Sequence, residues 1–291
     1  MKFKKAHFLF LILGLLSSVS TIGQDTTYIG PKNGHLVILG GGKEEIGAKK
    51  FLELINDTSA SILIIPTAGE DWYIERESNE YTFMKALFSS YGYKNVSMLH
   101  TRSQDTANSS KFVEPIKSAK GIWITGGRHP MLADSYLNTK VLEEMNNLLD
   151  RGGVIGGTSA GATIMGSYMI RGQKENNTII IGDHTIGFGW LKNTVIDQHV
   201  IARNRQWDMF EVLKKESKLL GIGVDENTAI VIHKNTLEVI GDNYVAIYDG
   251  TLWSEYTQQT IKLKKGQKRF YFLKPGNKYD LLERKPIVIK K

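Results

Sequence analysis
What most narrows the fold of this chain is a repeated order of short, predominantly apolar runs, each closed by glycine or small polar residues and then followed by a helical pattern. Residues 35–39 run into Gly40-Gly41-Gly42, residues 61–65 into Pro66-Thr67-Ala68, residues 95–99 end at His100, residues 121–125 run into Gly126-Gly127, and residues 154–155 into Gly156-Gly157. Between them, residues 48–55, 80–91, 111–118 and a stretch reaching 148 place apolar residues at helical spacing. Apolar runs of this kind are buried on both faces, so the order predicts an α/β fold, a parallel sheet with helices on both sides. Ligands of such sheets bind beyond the carboxyl ends of the strands. That rim would gather Gly40 to Gly42, Thr67-Ala68, Gly126 to His129 and Ser159. The first glycines fit neither a phosphate loop, which needs G-K-[ST], nor a dinucleotide turn, because Glu45 stands where its last glycine belongs.

The run at 154–155 leads into Gly156-Gly157-Thr158-Ser159-Ala160-Gly161, in which Ser159 is the serine of G-x-S-x-G. Glycines on both sides let a chain turn sharply from strand to helix and lift the hydroxyl above the sheet edge. The first helical N–H groups then point toward a reacting centre. A glycine-rich turn with an incidental serine fits the same letters, so the argument depends on a base. A serine hydroxyl attacks only when a base takes its proton. Of seven histidines, His100, His129 and His199 fall at or beyond strand carboxyl ends, and His184 lies in a polar loop. His199 stands out because it closes Asp197-Gln198-His199 with Arg203 and Arg205 following. A carboxylate must orient the ring. Asp225 and Glu226 interrupt an apolar strand, Asp197 competes from two residues away, and Glu226 is preferred. The order Ser159, His199, Glu226 differs from the Ser, acid, His order of α/β-hydrolases.

Residues 1–23 carry Lys2, Lys4 and Lys5, then an apolar run over 8–16, then small residues up to Gly23. This is the layout of a secretory signal peptide, too short in its apolar part for an ordinary membrane span. An exported protein, periplasmic or secreted, without stable membrane insertion is therefore expected. The formal charge of +7 includes those three lysines, and a remainder of +4 is too small an excess to argue for nucleic acid. With no cysteine, disulfides and thiolate metal sites are excluded. From residue 237 onward apolar and polar residues alternate between turn signals, as in antiparallel strands. The expected division is a leader at 1–23, an α/β domain at 24–250 and a β-rich extension at 251–291.

Taken together, Gly156-Gly157-Thr158-Ser159-Ala160-Gly161-Ala162, Asp197-Gln198-His199 with Arg203 and Arg205, and Gly223-Val224-Asp225-Glu226-Asn227-Thr228-Ala229 resemble the cyanophycinases, in the serine peptidase family that also holds α-aspartyl dipeptidase. The resemblance runs in the same order over residues 36–248. It implies a flavodoxin-like fold akin to class I glutamine amidotransferases, a triad of Ser159, His199 and Glu226, and an oxyanion held by N–H groups near Gly127 and Ala160. It also implies substrate binding by Asp197, Gln198, Arg203 and Arg205, no metal or organic cofactor, and a homodimer. The substrate implied is a poly-aspartate carrying arginine on its β-carboxyls, released as β-Asp-Arg dipeptides. Two positions depart from the pattern. Gly126-Gly127 is followed by Arg128-His129 in place of Asp-Gln, which puts two potentially cationic groups in the substrate region, and Asp208 replaces a third arginine. Asp208 is expected to pair with Arg205. The alternatives are the same triad acting on other aspartyl or cell-wall peptides, or a non-catalytic protein that holds an acidic ligand.

Overall fold
Five of the apolar runs form strands β1 (His35–Leu39), β2 (Ile62–Ile65), β3 (Val96–Met98), β4 (Gly121–Ile124) and β5 (Val154–Thr158) of a computed structural model describing residues 28–77, 79–173, 178–252, 268 and 270–288. The leader expected at 1–23 lies outside the described residues. The connections carry α1 (Glu44–Ile55), α2 (Asp71–Ile74), α3 (Glu80–Ser90), α4 (Gln104–Ala107), α5 (Ser110–Ser118), α6 (His129–Tyr136) and α7 (Lys140–Asp150). After β5 come α8 (Ala160–Thr163), β6 (Gly166–Tyr168), β7 (Leu191–Gln198), α9 (Met209–Lys215) and β8 (Leu220–Val224). The chain finishes with β9 (Thr228–His233), β10 (Thr236–Gly241), β11 (Val245–Asp249), β12 (Phe270–Leu273), β13 (Lys278–Asp280) and β14 (Lys285–Ile287). Among the described residues no helix is long and apolar enough to cross a membrane.

Two sheets result. The larger has the order β14-β13-β10-β9-β1-β5-β4-β2-β3, and the smaller β12-β11-β8-β7-β6. The pairs β1·β5, β5·β4, β4·β2 and β2·β3 are parallel, while β9 runs antiparallel to β1. A flavodoxin-like sheet keeps its first two strands adjacent; here β1 lies between β5 and β9. Its register pairs Leu39 with Thr158, which sets the Gly40 to Gly42 loop beside Ser159. The segment expected as a C-terminal extension adds β12 to the edge of the smaller sheet and β13 and β14 to the larger one, while residues 253–267 lie outside the described residues.

Alternation along β1 sorts the core into two sides. Val37 and Leu39 join Ala48 and Phe51 of α1, Met84 and Phe88 of α3, and Trp123. Leu36 and Ile38 face the opposite side, where residues of α5, α6 and α7 share a core with Ile196 of β7, Ile222 of β8 and Ile247 of β11. Trp123 is fully buried and meets Phe51 edge-on at 5.4 Å between centroids. Truncating a ring of this kind to alanine costs about 3–5 kcal/mol. The smaller sheet therefore packs on one face of the larger, and α9 covers its outer face through Met209, Val212 and Leu213.

Candidate active site
Ser159 follows β5 directly and adopts φ 52°, ψ −109°, a left-handed backbone held at the turn into α8. Its N–H is consumed by Leu39 O at 3.1 Å, which ties the elbow to β1. A non-glycine residue kept in this region is strained, and the strain is sustained by the strands around it.

His199 comes from the other sheet, one residue past β7. Its Nε2 stands 3.0 Å from Ser159 Oγ and its Nδ1 2.6 Å from Glu226 Oε1. A carboxylate only accepts, so Nδ1–H donates to Glu226 and Nε2 is free to accept from the serine hydroxyl. The imidazole is buried while the Glu226 side chain keeps about a third of its exposure, at 34%. Burial, then the Arg203 charge, hold the imidazole below its ordinary 6.5 against the opposing pull of Glu226.

The glycines after β1 make room for this ring. A Cβ on Gly41, at φ 114°, would sit 2.1 Å from His199 Cε1, so no side chain fits there. The same loop is tied to the base through His199 N–H to Gly40 O at 3.0 Å and to the acid's loop through Asn227 N–H to Gly41 O at 2.8 Å.

The three carboxylates weighed from the sequence separate by position. Glu226 meets the ring. Asp225 accepts from Ile201 N–H at 3.0 Å and Ala202 N–H at 2.9 Å, which shapes the turn after His199. Asp197 is buried and joined by Arg171 Nε at 3.2 Å and Nη2 at 3.0 Å. Arg171 also reaches Asp208 Oδ2 at 2.6 Å, so Asp208 pairs with Arg171 rather than with Arg205 as expected. Arg171 was missed in the sequence because it falls in a stretch without periodicity, and no local pattern marks it as the partner of two distant acids.

Gly127 and Ala160 each leave a backbone N–H without an acceptor among the described residues. An N–H left unpaired at a protein site costs free energy unless something arrives to accept from it, and two such donors beside a serine suit a developing oxyanion. Gly127 has φ 131°, and a Cβ there would lie 2.2 Å from Ala68 O, which restricts the position to glycine.

Among the proposed substrate contacts, His129 differs from expectation. It is buried, its Nε2 meets Ile170 O at 2.6 Å, and burial holds its pKa down at about 4, so it is a neutral structural ring instead of a cation facing substrate. Asp197 likewise serves Arg171 within the protein. Gln198 is buried beside Arg205, whose Nη1 donates to its Oε1 at 3.3 Å. Arg203 is exposed and has no side-chain partner among the described residues. Arg128 is half-buried with Nη1 sealed from solvent and unpartnered. Arg128 and Arg203 are therefore the cations open to an anionic group. Among the described residues no cluster of three histidine, aspartate or glutamate side chains is placed to hold a metal ion.

The model of "Peptidase family S51" matches residues 36–240. A cyanophycinase of Geminocystis herdmanii is 29% identical over 266 residues, covering 87% of this chain and 95% of the relative. One of a Nostoc species is 27% identical over 264 residues, covering 86% of each. Among solved structures, a peptidase from an acI-B1 Actinobacterium matches with TM-score 0.64 and 25% identity, over 86% of this chain and 98% of that one. A putative peptidase E protein from Listeria monocytogenes, 15% identical with TM-score 0.53 over 72% of this chain and 99% of that one, shares the fold.

Proposed function
Because this chain belongs to peptidase family S51 and is a serine-type peptidase, we propose that Ser159 is its nucleophile, His199 its base and Glu226 the carboxylate that orients the base. The observation that carries this reading is the hydrogen-bonded line from Ser159 Oγ through both nitrogens of His199 to Glu226 Oε1. Nε2 accepts the serine proton as Oγ bonds to the carbonyl carbon, and Glu226 stabilises the imidazolium that forms. The negative charge gathering on the carbonyl oxygen is met by the Gly127 and Ala160 N–H groups. Nε2–H then protonates the departing amine as the C–N bond breaks. Water, deprotonated by the same nitrogen, cleaves the acyl-enzyme and releases Oγ.

The substrate proposed is an aspartyl-linked peptide, with cyanophycin cut to β-Asp-Arg dipeptides as the leading case. The relatives named cyanophycinase support this. The Arg128 and Asp208 departures favour, as a second reading, other aspartyl peptides. The charge pattern of residues 1–23 supports export, which N-terminal sequencing of the mature protein checks. Cyanophycin and α- and β-aspartyl peptides, incubated with the purified protein, test the activity. Ser159→Ala is expected to lower kcat by about 10⁴-fold or more. Turnover surviving in that variant, or no hydrolysis of any of these peptides by the unaltered protein, overturns the proposal.

A further inference from the structure
At the end of the fold opposite Ser159, the segments that lead into the strands carry positive charge with little to balance it. Lys94 precedes β3, Lys120 precedes β4, Arg151 lies ahead of β5 and Lys32 ahead of β1. Lys192 is the second residue of β7, and Lys234 joins β9 to β10. Backbone bonds draw these segments into one continuous face. Ile62 N–H donates to Asn95 O at 3.0 Å, Lys120 N–H to Ser61 O at 2.9 Å, Val154 N–H to Lys120 O at 3.0 Å and His35 N–H to Gly153 O at 3.1 Å. The face continues onto the smaller sheet through Lys192 N–H to Ile29 O at 2.9 Å and Lys234 N–H to Pro31 O at 2.9 Å.

All six of these cations are exposed, and none is in an ion pair among the described residues. Arg151 Nη2 donates to Ala119 O at 3.2 Å, which fixes the guanidinium without neutralising it. Lys32 and Lys192 line one cavity of about 490 Å3 together with Tyr28, Trp190 and Asp150. Lys120 and Arg151 line a second, of about 190 Å3. The carboxylates in these segments are Asp57 and Asp150. Farther along the same end, the turn after β13 is balanced, with Lys285 paired to Glu283 at 3.4 Å and Arg284 to Asp249 at 2.6 Å. The remainder of +4 assigned to the chain without its leader therefore understates the local field, because the charge gathers on one face.

We infer that this end is a docking face for an anionic phospholipid bilayer, with Lys32, Lys192 and their neighbours set against the lipid phosphates and the catalytic rim turned away from the membrane. Each cation brought near such a surface strengthens adsorption by about fivefold, within a screening length of about 10 Å. Where the chain enters the fold favours a bilayer over another polyanion. Tyr28 lines the cavity of Lys32, and Ile29 is bonded to Lys192, so the polypeptide arrives on this face. On the export reading, which the inference uses, the apolar leader ends at Gly23, and residues 24–27 span at most about 14 Å. A leader held in the membrane therefore presents this end to the lipid headgroups as the domain folds. The strands then place Ser159 at the far end, open to peptides from solution. The contact is one of charge at the surface, in keeping with the expectation of no stable membrane insertion.

The test uses the purified mature protein, with its N-terminus sequenced, and vesicles of phosphatidylcholine alone or in equal parts with phosphatidylglycerol. Binding should require phosphatidylglycerol and be lost in about 0.5 M salt, where the screening length falls to a few ångströms. Lys32→Gln with Lys192→Gln should weaken it by about tenfold or more, whereas Lys43→Gln with Arg76→Gln, which removes as much charge at the catalytic rim, should change it by less than about threefold. Equal binding to neutral vesicles, or equal weakening by the two pairs, overturns the inference. So does displacement by double-stranded DNA at matched phosphate concentration, which would mark a general polyanion face. The chain holds no cysteine, so a fluorophore on Asn95→Cys or on Glu75→Cys, both exposed positions, reports from one place each. Spin-labelled lipid headgroups should quench the first and spare the second, and the reverse contradicts the orientation. Vesicle binding draws on none of the proposed catalytic residues. Hydrolysis without binding sinks the docking face alone, and binding without hydrolysis sinks the peptidase reading alone. An N-terminus still carrying residues 1–23 would sink the cleaved leader and not the face, because the lysine pair is read in the same protein.

Discussion
His199 is set between opposing influences, and their balance governs where the protein would work. Only the neutral ring can take the serine proton. Burial and the Arg203 charge favour that neutral form, and Glu226 favours the imidazolium. Since the folded pKa lies below 6.5, the acidic limb of the kcat/KM profile is expected below pH 6.5. Arg203→Ala removes a charge that lowers the pKa, so the limb should move to higher pH, whatever happens to the maximal rate. A pH profile of the variant checks this, and a limb that stays in place or moves down contradicts it. At this scale the sequence was informative about residue types and less so about partners. It placed Ser159, His199 and three carboxylates near one rim, but Asp197, Asp225 and Glu226 are chemically alike in a linear reading. Only the path of the backbone assigns one to Arg171, one to the N–H groups of Ile201 and Ala202, and one to the imidazole. His129 misled for a related reason. Proximity to a rim glycine suggested exposure, whereas its ring turns inward to Ile170 O.

Among the elements, the clearest dependence is that of β6, β7 and the segment before α9 on Arg171. This side chain, 2% exposed, follows β6 and binds Asp197 in β7 and Asp208 ahead of α9. Replacing it with methionine leaves the Asp197 carboxylate buried without its cation, and breaking a buried pair in this way costs about 3–5 kcal/mol. Urea unfolding of Arg171→Met should show a loss of that order, and a loss below about 1 kcal/mol would show that the pairs are dispensable. Asp197 lies two residues before His199, so the same variant should also lower turnover by disturbing the base. The strand and helix alternation up to β5 was legible, because apolar periodicity records which faces are buried. The order of strands was not. Period-two patterning does not say which strand lies beside which, so neither the place of β1 between β5 and β9 nor the return of β13 and β14 to the larger sheet could be read from it.

Across the whole molecule, the proposed catalytic residues are divided between the two sheets. Ser159 ends a strand of the larger, while His199 and Glu226 follow strands of the smaller, and the contact between them depends on the shared apolar core and on the Gly40 to Gly42 loop. A shift of one sheet against the other would separate Nε2 from Oγ with little loss of secondary structure. In a urea titration, activity should therefore disappear at lower concentration than the far-ultraviolet circular dichroism signal. Coincident transitions would mean that the two sheets unfold as one unit. Chain order adds to this dependence. β9, which flanks β1, begins two residues after Glu226, so completing the larger sheet and delivering the carboxylate are nearly one event. A partly folded chain thus holds a serine with no base. On the proposed triad the enzyme is its own safety catch, inert toward its surroundings until β7, β8 and β9 have docked.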